Sequence, residues 1–283
     1  MPTSPSPALV ARLRAAGCVF AEDEAALLEE EAAAGDPGRL EELVARRVGG
    51  EPLEHVLGRA ELRGERVRVD PGVFVPRQRT GLLVEEATRL VRRSGPASAR
   101  RGDRPLVVVD LCCGSGALGL VLATELRSEG RGGDVSRVEL HAADVDPAAV
   151  ACAAHNVAAV DGFAHQGDLF DALPPALRGR VDVLLANVPY VPTDAISSLP
   201  PEARDHEARV ALDGGADGLD VLRRVAVDAP SWLVPGGHLL TEVSEGQVAA
   251  VVEVLRGAGL DVRVVRDDEI GATGVVATRP DET

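Results

Sequence analysis

Apolar positions follow two different spacings along the chain. In the first fifty residues they recur at intervals of three and four: Leu9, Leu13 and Ala16, then Leu40, Leu43, Val44 and Val48. That spacing places them on one face of a helix. Ser6-Pro7 offers an N-cap followed by proline at the first helical position, and Gly17 offers a stop. A second helix is predicted over about 22–34, ending at Gly35. Asp36-Pro37 restarts a third, which Gly49-Gly50 stops. Residues 1–50 therefore read as a small helical N-terminal domain, charged outside and without a catalytic constellation, suited to docking a substrate or covering a site.

Residues 51–104 read as a connection. Arg66–Val69 alternates as a strand, Asp70-Pro71-Gly72 turns, and Val73–Val75 returns, which predicts a β-hairpin. A helix follows from Thr80 to about Arg93. The stretch 94–104 is rich in Gly, Pro, Ser and Arg and reads as an exposed linker. Its neighbouring arginines (Arg92, Arg93, Arg100, Arg101, Arg104) are either solvated or free to contact an anion.

From Pro105 the spacing changes. Short apolar runs alternate with helical stretches, the signature of a parallel sheet covered by helices. Strands are predicted at 106–111, 137–143, 181–186, 237–243, 260–266 and 273–278, with a short one near 163–166. The polar, glycine-rich stretch 125–137 reads as a surface loop. Residues 105–283 thus form an α/β domain.

Composition narrows the functional classes. The 283 residues are 45% hydrophobic but only 2% aromatic, so the core must be built from Val, Leu and Ala. Every one of the 30 basic residues is arginine, and the net charge is −15. Such a chain lacks the electrostatic footprint of a general nucleic-acid binder. Cys18, Cys112, Cys113 and Cys152 do not match a zinc spacing, and they read as small buried thiols of a reducing compartment. The N-terminus has no basic and apolar signal-peptide pattern, and no apolar run approaches the ~18 residues of a membrane helix. A soluble, cytoplasmic monomer is expected.

The chemistry gathers at strand ends. The apolar run 181–186 ends in Asn187-Val188-Pro189-Tyr190. In open α/β sheets ligands bind at the carboxyl ends of strands. Upstream, a strand runs into Asp110-Leu111-Cys112-Cys113-Gly114-Ser115-Gly116. Gly119 falls one step late for a dinucleotide fingerprint, which makes NAD a poor fit. An acid just before the loop suits a cofactor with an amino-acid end and no phosphate, such as S-adenosyl-L-methionine, whose ammonium or sulfonium Asp110 would face. Asp144 ends the second strand, placed to accept from two ribose hydroxyls, while Asp146-Pro147 caps the next helix. Asp168 could accept from an adenine amino group, with Leu169 and Phe170 against the ring. With Val145 beside Asp144, the expected cofactor set is Asp110, Cys112, Cys113, Gly114, Ser115, Gly116, Asp144, Val145, Asp168, Leu169 and Asn187.

The catalytic candidates are Asn187, Val188, Pro189 and Tyr190. An amide nitrogen is a poor nucleophile because its lone pair is delocalised. The Asn187 side-chain oxygen and the Val188 carbonyl can hold such an NH₂ between two acceptors, aim it at an electrophilic methyl and stabilise its growing positive charge. Tyr190 can pack flat on the planar amide. No metal is required for this in-line displacement.

With these motifs the chain resembles the HemK/PrmC family of S-adenosylmethionine-dependent protein-(glutamine-N5) methyltransferases, in a divergent form. The resemblance runs from about Glu51 to the C-terminus. It is carried by EPLEHVLG (51–58), VFVPRQRTGLLVE (73–85), DLCCGSGALG (110–119), ADVDPAAV (143–150), GDLF (167–170), NVPY (187–190) and HEARVALDGGADGL (206–219). It implies a helical N-terminal domain, a hairpin and a seven-stranded Rossmann-like class I methyltransferase domain. It also implies methylation of a glutamine in a translation protein, typically the Gly-Gly-Gln loop of a peptide chain release factor, or a ribosomal protein. Five positions depart from the family pattern. Val188 replaces the first proline of Asn-Pro-Pro-Tyr, and Gln78-Arg79 replaces Pro-Glu. Cys112 replaces the first loop glycine, and Ala208 replaces a proline. Val188 keeps the main-chain carbonyl but loses the fixed φ of proline. Two alternatives stay open at this stage: a methyltransferase for the exocyclic amine or amide of a nucleic acid or small molecule, and a non-catalytic cofactor-binding protein.

Overall fold

The computed structural model describes residues 5–33, 35, 38–93, 104–128 and 137–281. Four helices open the chain: α1 (Pro7–Ala15), α2 (Ala21–Ala33), α3 (Arg39–Val48) and α4 (Leu53–Leu57). Leu9, Leu13, Leu28, Leu43, Val44 and Val56 form a core of their own between them. Ser6 precedes α1 but its side chain caps nothing; instead its backbone N–H donates to Glu29 at 3.0 Å. The restart expected at Asp36-Pro37 lies outside the described residues. Arg47 and Arg59 make polar links out of the bundle, Arg59 through Glu31. The buried Arg47 guanidinium donates to Glu24 at 2.6 and 3.1 Å, to the Glu51 carbonyl at 3.0 Å and to Glu202 at 2.6 Å.

The hairpin differs from the sequence reading. Its strands are β1 (Arg59–Leu62) and β2 (Glu65–Arg68), paired antiparallel with Leu62 opposite Glu65. Arg63 and Gly64 turn the chain with φ of 51° and 81°. Two successive positive φ values are what a two-residue hairpin turn requires. Asp70-Pro71-Gly72 looks more like a turn than Arg63-Gly64 does, which hid the true partner strand. Residues 73–75 run instead as irregular chain into a 3₁₀ turn (Gln78–Thr80) and α5 (Gly81–Arg93).

A seven-stranded sheet follows, made of β3 (Leu106–Leu111), β4 (Val138–Asp144), β5 (Phe163–Gln166), β6 (Val181–Ala186), β7 (Leu233–Glu242), β8 (Asp261–Asp267) and β9 (Ala272–Thr278). The order is β5-β4-β3-β6-β7-β9-β8. Five strands are parallel, while β9 runs antiparallel to both β7 and β8. The sheet is therefore mixed, not wholly parallel as expected. Only residues 268–271 separate β8 from β9, too few for the crossover a parallel pair needs. β7 also begins four residues before the predicted 237, and Pro235-Gly236-Gly237 is absorbed as an irregularity in its pairing with β6.

Helices α6 (Ala117–Ser128), α7 (Pro147–Val157), α8 (Pro201–His206), α9 (Asp220–Trp232) and α10 (Val248–Gly257) complete the described α-helices. Residues 125–128, expected to be loop, are helical, because α6 continues to Ser128; residues 129–136 are outside the described set. Side chains of β3 alternate between the two faces. Val108 joins the core beneath α5 and α6 with Leu83, Val121 and Leu140. Val107 and Val109 join the core beneath α9 and α10 with Leu184, Leu222 and Leu255. Burial on both faces explains why these strands read as unbroken apolar runs. Of the expected linker, residues 94–103 are outside the described set. Arg104 is neither solvated nor free, since it grips Asp182 with two hydrogen bonds of 2.8 and 2.9 Å.

From β3 the chain steps outward through β4 and β5, then returns to add β6 and β7 on the other side. The strand order thus reverses between β3 and β6. In their register Leu111 lies opposite Ala186. The glycine-rich loop and Asn187 consequently leave the sheet side by side, at the switch point where such sheets bind ligands.

Candidate active site

A cavity of about 590 Å³ opens at this switch point. Of the residues expected to bind cofactor or act in catalysis, Asp110, Cys112, Cys113, Gly114, Ser115, Asp144, Val145, Asp168, Leu169, Asn187, Val188, Pro189 and Tyr190 line it, whereas Gly116 and Phe170 do not. Gly116 acts from behind. A Cβ there would stand 3.1 Å from that of Ala153 and 3.2 Å from Val157, so its absence lets α7 pack on the loop. The loop turns left-handed at Cys112, Gly114 and Gly116, with φ of 54°, 54° and 72°. Glycine takes that conformation freely, whereas at Cys112 it is strained by about 1 kcal/mol.

Two acids secure the loop. Asp144 Oδ2 accepts from the Gly114 N–H at 2.9 Å, and Oδ1 from Asp146 N–H at 3.0 Å. Burial nevertheless pushes the Asp144 carboxyl above its ordinary range, only partly opposed by those N–H groups. Asp146 caps α7, as expected, by accepting from Ala148 N–H at 2.9 Å. Asp110 is fully buried beneath the loop and accepts from Gly119 N–H at 2.9 Å. Burial pushes it up to about 7. Cys112 and Cys113 are half-buried, not buried as expected, and their thiols are held above the ordinary range by burial and the nearby acids.

At the far end, Asp168 pairs with Arg224 at 2.7 Å, and Leu169 adopts a φ of 50°. Phe170 is not a wall of the cavity, contrary to expectation. It is 4% exposed and stacks on Trp232 with ring centroids 5.3 Å apart. The chain makes a 3₁₀ turn over Leu169–Ala172, which leaves Leu169 on the cavity and turns Phe170 into the core.

The Asn187 side-chain oxygen is buried and has no hydrogen-bond partner among the described residues. Leaving such an acceptor unpaired costs about 1–3 kcal/mol, which an incoming N–H donor relieves. Val188 is 3% exposed and packs into the core beneath α9, which accounts for an apolar residue there. The Tyr190 hydroxyl donates to Glu242 at 2.9 Å and accepts from Arg79 at 3.1 Å. Arg79 Nε donates to the same Glu242 oxygen at 2.9 Å, and Thr80 to the other at 2.5 Å. Burial and Glu242 together hold the Tyr190 hydroxyl above its ordinary pKa.

The stretch 206–219 braces the tetrapeptide backbone to backbone. Val191 N–H donates to Leu212 at 3.0 Å, and Gly214 N–H returns a bond to Val191 at 2.8 Å. A Cβ on Gly214 would stand 2.6 Å from the Pro189 carbonyl oxygen, and one on Gly218 would stand 2.2 Å from that of Tyr190. Glycine is needed at both because main chain approaches main chain. Gln247 completes the brace, donating to the carbonyls of Tyr190 at 2.9 Å and Asp217 at 3.1 Å. Sequence reasoning missed Glu242 and Gln247. Glu242 carried the same signal as Asp144, an acid at the end of an apolar strand. Gln247 was visible only as part of the capping box it forms with Ser244.

Known proteins match this chain across most of its length. The release factor glutamine methyltransferase of Geobacter sulfurreducens is 36% identical over 84% of this chain and 76% of its own. That of Cereibacter sphaeroides is 34% identical over 96% of both chains. The chain belongs to the release factor glutamine methyltransferase family. Another relative of this family member is the 4-amino-L-phenylalanine/4-methylamino-L-phenylalanine methyltransferase of Streptomyces pristinaespiralis, 35% identical over 79% of this chain and 71% of its own. No protein-family model matches. Two solved methyltransferases share the fold. One is the T. thermophilus 16S rRNA N2 G1207 methyltransferase (TM-score 0.52, 21% identity, 78% of this chain, 49% of that one). The other is the hMettl16 catalytic domain (TM-score 0.54, 12% identity, 86% and 84%). The fold is that of the Rossmann-like methyltransferases, and the first of these two proteins is solved in complex with AdoMet. The carboxylates of Asp110 and Asp144 at the loop suit a cationic ligand of this kind.

Proposed function

We infer that this methyltransferase modifies the side-chain amide nitrogen of a glutamine in a protein, with a peptide chain release factor as the substrate its relatives suggest. The unpaired, buried Asn187 oxygen carries this reading. It sits in the same cavity as Asp110 and Asp144, so an acceptor for a substrate N–H stands beside a cation-binding loop. The bound cofactor supplies an electrophilic methyl on sulfonium. Asp144 and Val145 would hold its ribose side, Asp168 and Leu169 its base, and Asp110 with the 112–116 loop its amino-acid end. Asn187 and the Val188 carbonyl grip the two amide hydrogens and stabilise the positive charge that grows on nitrogen. Tyr190 stacks on the amide plane. Its hydroxyl is committed to Glu242 and Arg79, so it takes no proton; the surplus proton leaves to water after transfer.

The helical bundle serves to dock the protein substrate, supported by the Arg47–Glu202 bond that joins it to a wall of the cavity. A translation protein as substrate places the reaction in the cytoplasm. Among the described residues no helix is long and apolar enough to cross a membrane. A second reading is favoured by the Streptomyces pristinaespiralis relative, whose named substrate is an aromatic amine. Its NH₂ could use the same Asn187 and Val188 acceptors. The roles are tested by splitting binding from turnover. Asn187→Ala should lower kcat at least ~100-fold while leaving the cofactor Kd within about threefold. Asp144→Ala should raise the cofactor Kd first. Normal turnover by Asn187→Ala would refute the amide grip.

A further inference from the structure

Two arginines of the 76–80 stretch border the cavity in the same manner. Arg77 donates to Glu207 at 2.6 Å, and Arg79 to Glu242 at 2.9 Å. Both carboxylates are buried, with side-chain exposures of 0% and 5%, whereas the arginines are 31% and 46% exposed. In each pair the acid lies inside and the cation faces outward. Each guanidinium also keeps its Nη1 without a hydrogen bond among the described residues. Arg79 is further fixed by its 3.1 Å bond to the Tyr190 hydroxyl. Its outward N–H groups therefore stand immediately beside the residue that would stack on the acceptor amide. Anchoring on buried partners has already cost the side chain its rotamer freedom, so a second partner binds it with little further ordering.

The surroundings sharpen the point. The chain as a whole carries a net charge of −15 and repels an acidic ligand at long range. Arg79 presents to the mouth of the site the exposed, cationic half of a pair whose acid is buried, which a short-range contact can use. It is also where the sequence substitutes a base for an acid relative to the stretch it resembles. We propose that the substrate presents a carboxylate close to its methyl-accepting nitrogen and that Arg79 is the specificity-determining residue that recognises it. This inference rests on the glutamine reading above. The carboxylate could belong to an acidic residue flanking the glutamine in a protein or to a free amino acid. A nucleic-acid phosphate would also suit arginine, but the net charge disfavours a polyanion.

The test uses the full chain, methyl-labelled S-adenosylmethionine and blocked hexapeptides containing one glutamine flanked by glutamate, alanine or arginine. Free L-glutamine and L-glutaminamide form a second arm, and total RNA a third. The wild type should favour the glutamate-flanked peptide over the arginine-flanked one by about tenfold in kcat/KM, expressed in KM and weakened by salt. Arg79→Gln should erase the ranking and Arg79→Glu should invert it, with cofactor binding by calorimetry confirming that both variants fold. Labelling of L-glutamine in preference to both L-glutaminamide and the peptides would support the carboxylate and assign it to a free amino acid. Equal use of all three peptides by the wild type, with no preference for L-glutamine over its amide, overturns the proposal and leaves the glutamine reading standing. So does a ranking that Arg79→Glu leaves unchanged. Label on RNA alone, or on no glutamine, overturns both.

Discussion

Gly218→Ala tests whether the backbone brace sets the catalytic geometry. Gly218 has a φ of 77°, and an added Cβ would lie 2.2 Å from the Tyr190 carbonyl oxygen and 2.5 Å from Gln247 Nε2. Ordinary contact begins near 3.4 Å, so the tetrapeptide must shift by about 1 Å or Gln247 must release the carbonyl it holds. The left-handed backbone alone costs about 1 kcal/mol with a Cβ present, and the overlap adds about 1–3 kcal/mol. A displacement of about 1 Å at the acceptor site costs ~100-fold in rate. Gly179→Ala provides the internal control, because Gly179 has a φ of 70° but no described residue within 4 Å of the new atom. It should lose about 1 kcal/mol in urea unfolding and keep full kcat. Gly218→Ala should lose about 2–4 kcal/mol and most of its kcat at saturating cofactor. If both variants turn over alike, the 206–219 stretch does not position the tetrapeptide.

Other consequences follow from the same geometry. Cys112→Gly should relieve the strained φ of 54° and raise stability by about 0.5–1 kcal/mol, read as a higher Tm, without harming cofactor binding. Asp110 is held up at about 7 by burial, so acid neutralises it where it would face a cation. The cofactor Kd should rise about twofold at pH 7 and about tenfold at pH 6 relative to its alkaline value, and Asp110→Asn should be flat over that range. Tyr190→Phe should cost less than about tenfold in kcat, because Arg79 and Glu242 still satisfy each other, whereas Tyr190→Ala, which removes the stacking ring, should cost far more.

The parts of this molecule that could be read from sequence are those where one residue type has one physical use. The runs 106–111 and 181–186 are apolar because both sheet faces are covered, and both strands fall where the pattern put them. Asp146-Pro147 caps a helix because few other pairs do so as well. The cavity collected its expected residues because strand ends dictate where loops emerge. Reading failed where tertiary contact chose between locally equal options. Arg63-Gly64, not Asp70-Pro71-Gly72, makes the hairpin turn, because β1 supplies the partner strand. Phe170 follows Leu169 in sequence yet faces the core, because Trp232 lies there to receive it. Glu242 and Arg79 lie 163 positions apart, so their shared hold on Tyr190 has no local signature.

The central claim is that Asn187-Val188-Pro189-Tyr190 directs a methyl group onto a glutamine side-chain nitrogen. It is tested most directly in extract from cells lacking this protein, incubated with the enzyme and methyl-labelled S-adenosylmethionine, with Asn187→Ala in parallel and the label located by mass spectrometry. The account predicts label on the side-chain nitrogen of a glutamine in a protein, absent with Asn187→Ala. Label confined to nucleic acid or to a small metabolite, or label that survives Asn187→Ala, would contradict it.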